Sequence, residues 1–458
     1  MSTPALRRGL RTLGTLLITL SAISPASSVF IIAPGVLSGA GTGAFYSFVA
    51  AAVVGVFMAF VYAELASAFP LAGGEYAIVT RTLGRLPGFA VLGLMIITQV
   101  LIVAVIALGV GTYLGVLLPG VPGSVIAAVT CVVAAVVGVF DIKLNAWVTG
   151  IFLAIEILAL IVVSALGLLN PARSFTELLA HPVASDGGPA TVGAIAIATS
   201  VAIFAYNGYG SAVYFGEETQ DASRGIARAI LMALGITVLA ELVPVTAVLL
   251  GAPDLNALFA SENMLSYFID SRGGGTLDTV IGLAVALAII NAVLAIVLIS
   301  SRMLFSSGRD RAWPSPVNRA LAAVHPKFGT PWVATVGTGS VAALLCFVDP
   351  KLLLVVTSTS IVAVYAALCL GAIVGRRTGA TAHAKYRMPW FPVAPVLALG
   401  VLMFVVYQNV LDPSVGRPSL IVTAGVALLS IAYYVLVLRR RGGWKLADVT
   451  EEKAEEPA

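Results

Sequence analysis

LSAISPASSVFIIA, residues 20–33, sits inside an apolar segment of membrane length, residues 10–37, and breaks it at Ser24, Pro25, Ala26, Ser27 and Ser28. Proline has no backbone N–H and its ring clashes with the preceding turn, so a helix is expected to stop here and leave peptide groups unpaired. In hydrocarbon each unmatched group costs several kcal/mol, and irregular backbone survives at that depth only inside protein or beside a cavity. The interruption is therefore read as a site. A counterpart lies about 180 residues on, at residues 204–211, FAYNGYGS, where Gly208 and Gly210 interrupt a second apolar span. Interrupted helices at corresponding positions of two halves point to the binding site of a secondary transporter.

Composition supports a membrane setting. The 458 residues are 59% hydrophobic and 10% charged, with a mean hydropathy of +1.02, which excludes an ordinary soluble enzyme. Twelve apolar spans are expected, at residues 10–37, 43–69, 86–117, 123–140, 144–168, 191–216, 226–251, 275–303, 330–348, 351–375, 391–411 and 418–438. With both termini in the cytoplasm, 22 of the 26 Lys and Arg residues fall on the inner side, the distribution that basic loops favour. The formal charge of +4 is spread between spans and matches no nucleic-acid-binding motif. Cys131, Cys346 and Cys369 lie within apolar runs and read as small packing residues. No metal site or cofactor is expected, and no phosphate-binding loop is present that would supply ATP energy.

At the N-terminus, Arg7, Arg8 and Arg11 before a short apolar run also fit a cleaved signal peptide; cleavage would remove half of the first span. The second span ends in YAELASAFPLAGGEYAIV, and a short amphipathic piece bearing Arg81 and Arg85 is expected to lie along the interface. Residues 171–189 read as an external loop, and residues 254–272 as a short helix across the outer mouth. The last dozen residues, ADVTEEKAEEPA, read as disordered.

Three stretches carry a family resemblance: YAELASAFPLAGGEY, FAYNGYGSAVYFGEET, and SRMLFSSGRDRAWPSPVNRALAAVHPKFGTP after the eighth span. Together and in this order they resemble the amino acid, polyamine and organocation transporter superfamily over nearly the whole chain. The resemblance implies an all-α integral membrane fold with a five-plus-five inverted repeat, broken helices one and six, and two extra helices. On that plan residues 1–9 are a cytoplasmic N-terminus, 10–168 the first repeat, 191–375 the second, 391–438 the last two helices and 439–458 a cytoplasmic tail. It further implies an amino acid permease of the cell membrane, working by alternating access and without covalent chemistry. The family's first break is usually glycine-rich, whereas this chain has Ala26, Ser27 and Ser28.

By the same resemblance a substrate carboxylate meets N–H groups at Ala26, Ser27 and Ser28, and its amine meets carbonyls at Ile23, Phe204, Ala205 and Tyr206. Helix termini of opposite polarity suit a zwitterion on physical grounds too. Asn207, Gly208, Tyr209 and Ser211 would line the pocket, with Gln99, Tyr113 and Thr357 to Ser360 as further candidates. Small and hydroxyl residues in membrane helices also serve simple packing, which is the competing reading of Ser27 and Ser28. Glu217 and Glu218, just past the sixth span, read as an inner-gate ion pair with Arg224, Arg228 or the basic loops. Glu64 and Glu75 read as structural or gating residues. Glu241 and Asn291 are costly in lipid and are expected to face the bundle.

Glu156 stands out within the fifth span. Thr149, Glu156 and Ser164 share one helical stripe, and sodium-independent members of the family carry a lysine facing the first break at this place. The reversed charge suggests a proton-coupling or cation site, with Asn291 beside it, since the eighth span lacks the deep hydroxyls that sodium-coupled members use. A polyamine or choline-like organocation carrier is the alternative. An ion channel or receptor is the alternative of a different class, but neither a pore-lining repeat nor charged rings are present.

Overall fold

The computed structural model describes the chain apart from residues 1–5, 7–8, 115–117, 119, 358, 442–443 and 447–458. Arg7 and Arg8, Ser358 and the acidic tail therefore lie outside the described residues. Among those described, the chain is helical throughout, and pairing of the β type is limited to isolated bridges, Leu10 with Thr219 and Val183 with Pro189. Among the described residues, nine stretches are long and apolar enough to cross a membrane. The first of them, Thr12–Ala68, runs 57 residues and holds both the first broken helix and the Ala44–Ala68 helix. Two shorter apolar helices, Gly123–Gly138 and Trp332–Leu345, accompany them.

The Gly275–Arg309 helix forms the centre of the bundle, with two thirds of its most apolar window, 67%, buried. It packs along Arg85–Leu114 and Ile142–Leu168, and Ala222–Gly251 packs along Ala44–Ala68. The Thr12–Ile23 helix is enclosed by Ile142–Leu168, Ala222–Gly251 and Gly275–Arg309, so its polar Thr15, Thr19 and Ser21 are all buried. Outward faces carry bare apolar side chains such as Trp147, Leu158, Leu344 and Ile421, a surface that water disfavours and hydrocarbon does not. Ala222–Gly251 contains Pro244, whose missing N–H loosens the helix one turn from Glu241.

Two expectations about connecting segments change. Gly74–Leu83 is not an exposed amphipathic piece: residues 74–80 are buried throughout, packed on Arg85–Leu114 and Ser360–Thr378. The reason is that its polar side chains find partners inside, with the Tyr76 hydroxyl bonded to Asp310 at 2.7 Å and Ser306 at 2.9 Å. The connection after Ala222–Gly251 forms two short helices, Leu255–Ala260 and Met264–Gly273. Asp254 caps the first of these by accepting from Asn256 N–H at 2.8 Å, as N-terminal N–H groups require. The loop at residues 171–189 contains the short helix Phe175–Ala180.

Candidate functional site

The first break forms where residue chemistry demands it. Thr12–Ile23 ends, and Ser24 takes a left-handed conformation with φ 50° and ψ 77°. Pro25 then opens the next helical piece, a position where its missing N–H does no harm. The chain continues through a wide turn at Ser28–Ile32 into Ala33–Ala40. Such a restart exposes N–H groups and a partial positive charge. Here the Glu156 carboxylate has taken the position: Oε1 accepts from Ala26 N–H at 2.7 Å and from the Ser24 hydroxyl at 3.0 Å. Ser24 and Ser27 share a further hydroxyl bond of 2.6 Å. The seat expected for a substrate carboxylate is filled by the chain's own acid.

The second break follows Val192–Ala205 and turns through Gly208 into the tight helix Tyr209–Phe215. Gly208 has φ 120°, and an added Cβ would lie 2.8 Å from Ile23 Cγ1. Only a glycine permits both that backbone and that approach. The Ser28 hydroxyl completes the junction by donating to the Ala205 carbonyl at 2.9 Å. Ile23, Ala26, Ser28, Ala205 and Gly208 are thus brought together from both breaks. The Phe204 side chain is 43% exposed on the outside of the bundle, while its carbonyl stays in the turn and accepts from Asn207 N–H at 3.1 Å. Tyr206 is buried edge-on against Phe48, with its hydroxyl unpartnered.

Beside the junction lies a cavity of about 90 Å³. Asn207, Gly208 and Ser211 line it, as does Gln99; Tyr209 stands behind them, edge-on to Tyr62. Tyr365 donates its hydroxyl to the Asn207 side-chain oxygen. Tyr113 and Thr359 do not reach the cavity; Thr359 bonds Ser419 and Thr423 instead. Thr98, Tyr62 and Tyr365, which sequence reasoning had not singled out, line it, and so does Glu75. Thr98 had left one signal, a hydroxyl next to Gln99 within an apolar span. Glu75 lies outside the spans, and burial pushes its carboxyl above the ordinary carboxylate range.

Asn291 donates to Ser21 Oγ at 3.0 Å and to the Thr149 carbonyl at 3.1 Å, tying the central helix to the first broken helix. Glu241 is fully buried, and neither of its oxygens has a hydrogen-bond partner. It stands within electrostatic reach of Ser28, Glu156 and Tyr206.

One end of the bundle is closed by ion pairs. Glu218 holds Arg302 through two bonds of 2.8 and 3.0 Å, both side chains without solvent exposure. Glu217 pairs with Arg309 and accepts from Ala72 N–H at 2.9 Å. Glu64 holds Arg376 through bonds of 2.7 and 2.6 Å. The partners are thus Arg302 and Arg309, from the basic stretch that begins SRMLFSSGRDR and was one of the expected sources, not Arg224 or Arg228 on the neighbouring turn.

A bundle of apolar helices with two breaks joined at a polar cavity defines the class of multi-pass membrane transporters. The chain belongs to the amino acid permease family, whose sequence pattern matches residues 10–436. Among its relatives is an uncharacterized transporter of Mycobacterium tuberculosis, 32% identical over 74% of each chain. The branched-chain amino acid permease BcaP of Bacillus subtilis is 27% identical over 86% of this chain and 87% of its own. A methylthioribose transporter of the same organism is 26% identical over 83% of this chain and 84% of its own.

Proposed function

We propose that this permease carries an amino acid or related amine across the cell membrane by alternating access, with substrate held between the two breaks. The observation that carries the reading is the contact of the breaks, Ser28 on Ala205 and Gly208 against Ile23, beside a polar cavity. Counting the 57-residue stretch as two crossings and adding the two shorter helices gives twelve, with residues 10–168 and 191–375 as inverted repeats. The arginine-rich end with its ion pairs is then the cytoplasmic gate, and both termini lie on that side.

Glu156 supplies the coupling step. As a carboxylate it accepts from Ala26 N–H; once protonated it is a weaker acceptor, and the helix terminus becomes free for a substrate carboxylate. A proton and an amino acid would then load together, with no sodium ion required. The relatives named for branched-chain amino acids and for methylthioribose leave substrate type open across the family. The filled anion seat at Ala26 favours a second reading, in which the cargo is a cation that meets Glu156 directly.

The test is uptake into proteoliposomes of purified protein under an imposed pH gradient, with sodium present and absent. Saturable uptake with counterflow, driven by the proton gradient, is the expected result. Unsaturated flux without counterflow would mean a channel, and an absolute sodium requirement would remove the proton step.

A further inference from the structure

Glu75 is placed with care by its surroundings. Gly74, immediately before it, has φ 56°, and an added Cβ there would lie 2.6 Å from the Tyr214 ring. The chain can therefore turn Glu75 inward only through a glycine. Its carboxylate is 3% exposed. Oε1 accepts from the Tyr62 hydroxyl at 3.1 Å, whereas Oε2 has no partner. Tyr214 faces the same carboxylate from the second broken helix, its hydroxyl near hydrogen-bonding reach of it. Thr98 Oγ1 is a second buried, unpartnered atom on the cavity wall.

We propose that Glu75 and this cavity form a second binding station on the transport path, one that takes a primary ammonium group. The proposal rests on the transport reading above and adds to it the chemistry of the cargo. An ammonium carries three N–H donors and no acceptor, and the wall offers oxygen acceptors from Glu75, Thr98 and Asn207. Among the described residues no Lys, Arg or His lines the cavity, so an anion would meet only Glu75 and find no counter-charge. Tyr62, set edge-on to Tyr209 at 6.1 Å and to Tyr365 at 5.6 Å, supplies the aromatic surround that cations favour. The volume of about 90 Å³ equals roughly three water molecules at ~30 Å³ each, enough for an ammonium head with a short stem. Amine-bearing cargo would pass from the junction to Glu75 on its way through the arginine-rich end.

The test uses the full-length protein in detergent with methylammonium chloride as probe and sodium acetate at matched ionic strength as control. Binding is read by calorimetry and by thermal shift, since a ligand specific for the folded state stabilises it. Saturable binding of methylammonium but not acetate is expected, weakened about tenfold or more in Glu75→Gln, which loses a charge-assisted bond. Thr98→Val should weaken it about threefold, and it decides the matter if Glu75→Gln does not fold. Wild-type affinity in either folded variant overturns the proposal. Absence of methylammonium binding in a wild type that still takes up amino acids overturns it too, while leaving the transport reading intact. A third result, methylammonium bound equally well with Glu75 held as a neutral acid by infrared spectroscopy, would reduce Glu75 to a structural group and also overturn it.

Discussion

The acidic side chains of this permease divide between two regions. At the arginine-rich end, Glu64, Glu217 and Glu218 are each bonded to an arginine. Around the breaks and the cavity, Glu75, Glu156 and Glu241 are as deeply buried, yet among the described residues no Lys or Arg pairs with any of them. Instead they accept from a tyrosine, from a backbone N–H and a serine, or from nothing. A buried acid bonded to an arginine holds two elements in one arrangement. One without a base stays neutral or waits for a cation, because an isolated buried charge is too costly. On the transport reading proposed above, the first region locks and releases and the second receives.

The largest effect should come from breaking a lock. Glu218→Ala leaves Arg302 with no exposure and no counter-charge, a change that costs about 3–5 kcal/mol when one partner of a buried pair is removed. Thermal unfolding and size-exclusion profiles in detergent measure it. Replacing both members, as Glu218→Gln with Arg302→Met, should restore much of the loss. A single variant as stable as wild type would erase the distinction between the two regions.

Glu156→Gln should act in the opposite way. Its amide oxygen can still accept from Ala26 N–H, so stability should stay within about 1 kcal/mol of wild type. What disappears is the titratable proton. Transport should lose its dependence on the pH gradient, or the apparent affinity for cationic substrates should fall by about tenfold. Wild-type pH dependence together with wild-type selectivity would leave Glu156 a helix cap only.

Sequence and structure agree most where the determining forces are local. Pro25 breaks a helix through its own ring, and Gly208 through its own φ, so both breaks were legible from the residues alone. Of the stripe Thr149, Glu156 and Ser164, the first two are buried and Ser164 is half-buried, so helical spacing made the inward face legible at Thr149 and Glu156 and less so at Ser164. Pairings across the bundle were not. Glu217 and Glu218 reach Arg309 and Arg302 in the basic stretch after the eighth span, one of the sources the sequence offered, but nothing in the intervening sequence selects those arginines over the nearer Arg224 and Arg228. Seating Glu156 on Ala26 N–H likewise depends on how two helices pack, as does the burial of residues 74–80 of Gly74–Leu83.

The smallest effect is expected at Ser28, and it tests whether the junction of the breaks belongs to the receiving region at all. Its hydroxyl makes one bond, to the Ala205 carbonyl at 2.9 Å, and lies near the unpartnered Glu241. Removing one such bond costs about 1 kcal/mol, which corresponds to roughly fivefold in an equilibrium constant. If the junction only holds the helices together, Ser28→Ala should lower stability by that amount and leave substrate affinity alone. If the Ala205 carbonyl and the Ser28 hydroxyl face the cargo, affinity should fall about fivefold as well, while Ser28→Thr, which keeps the hydroxyl, stays near wild type. We expect the second pattern, since the bond sits one residue from the turn at Tyr206 and two from Ala26, whose N–H Glu156 holds. Unfolding curves and uptake kinetics on the same purified variants separate the two, and a loss confined to stability would assign the junction to the scaffold.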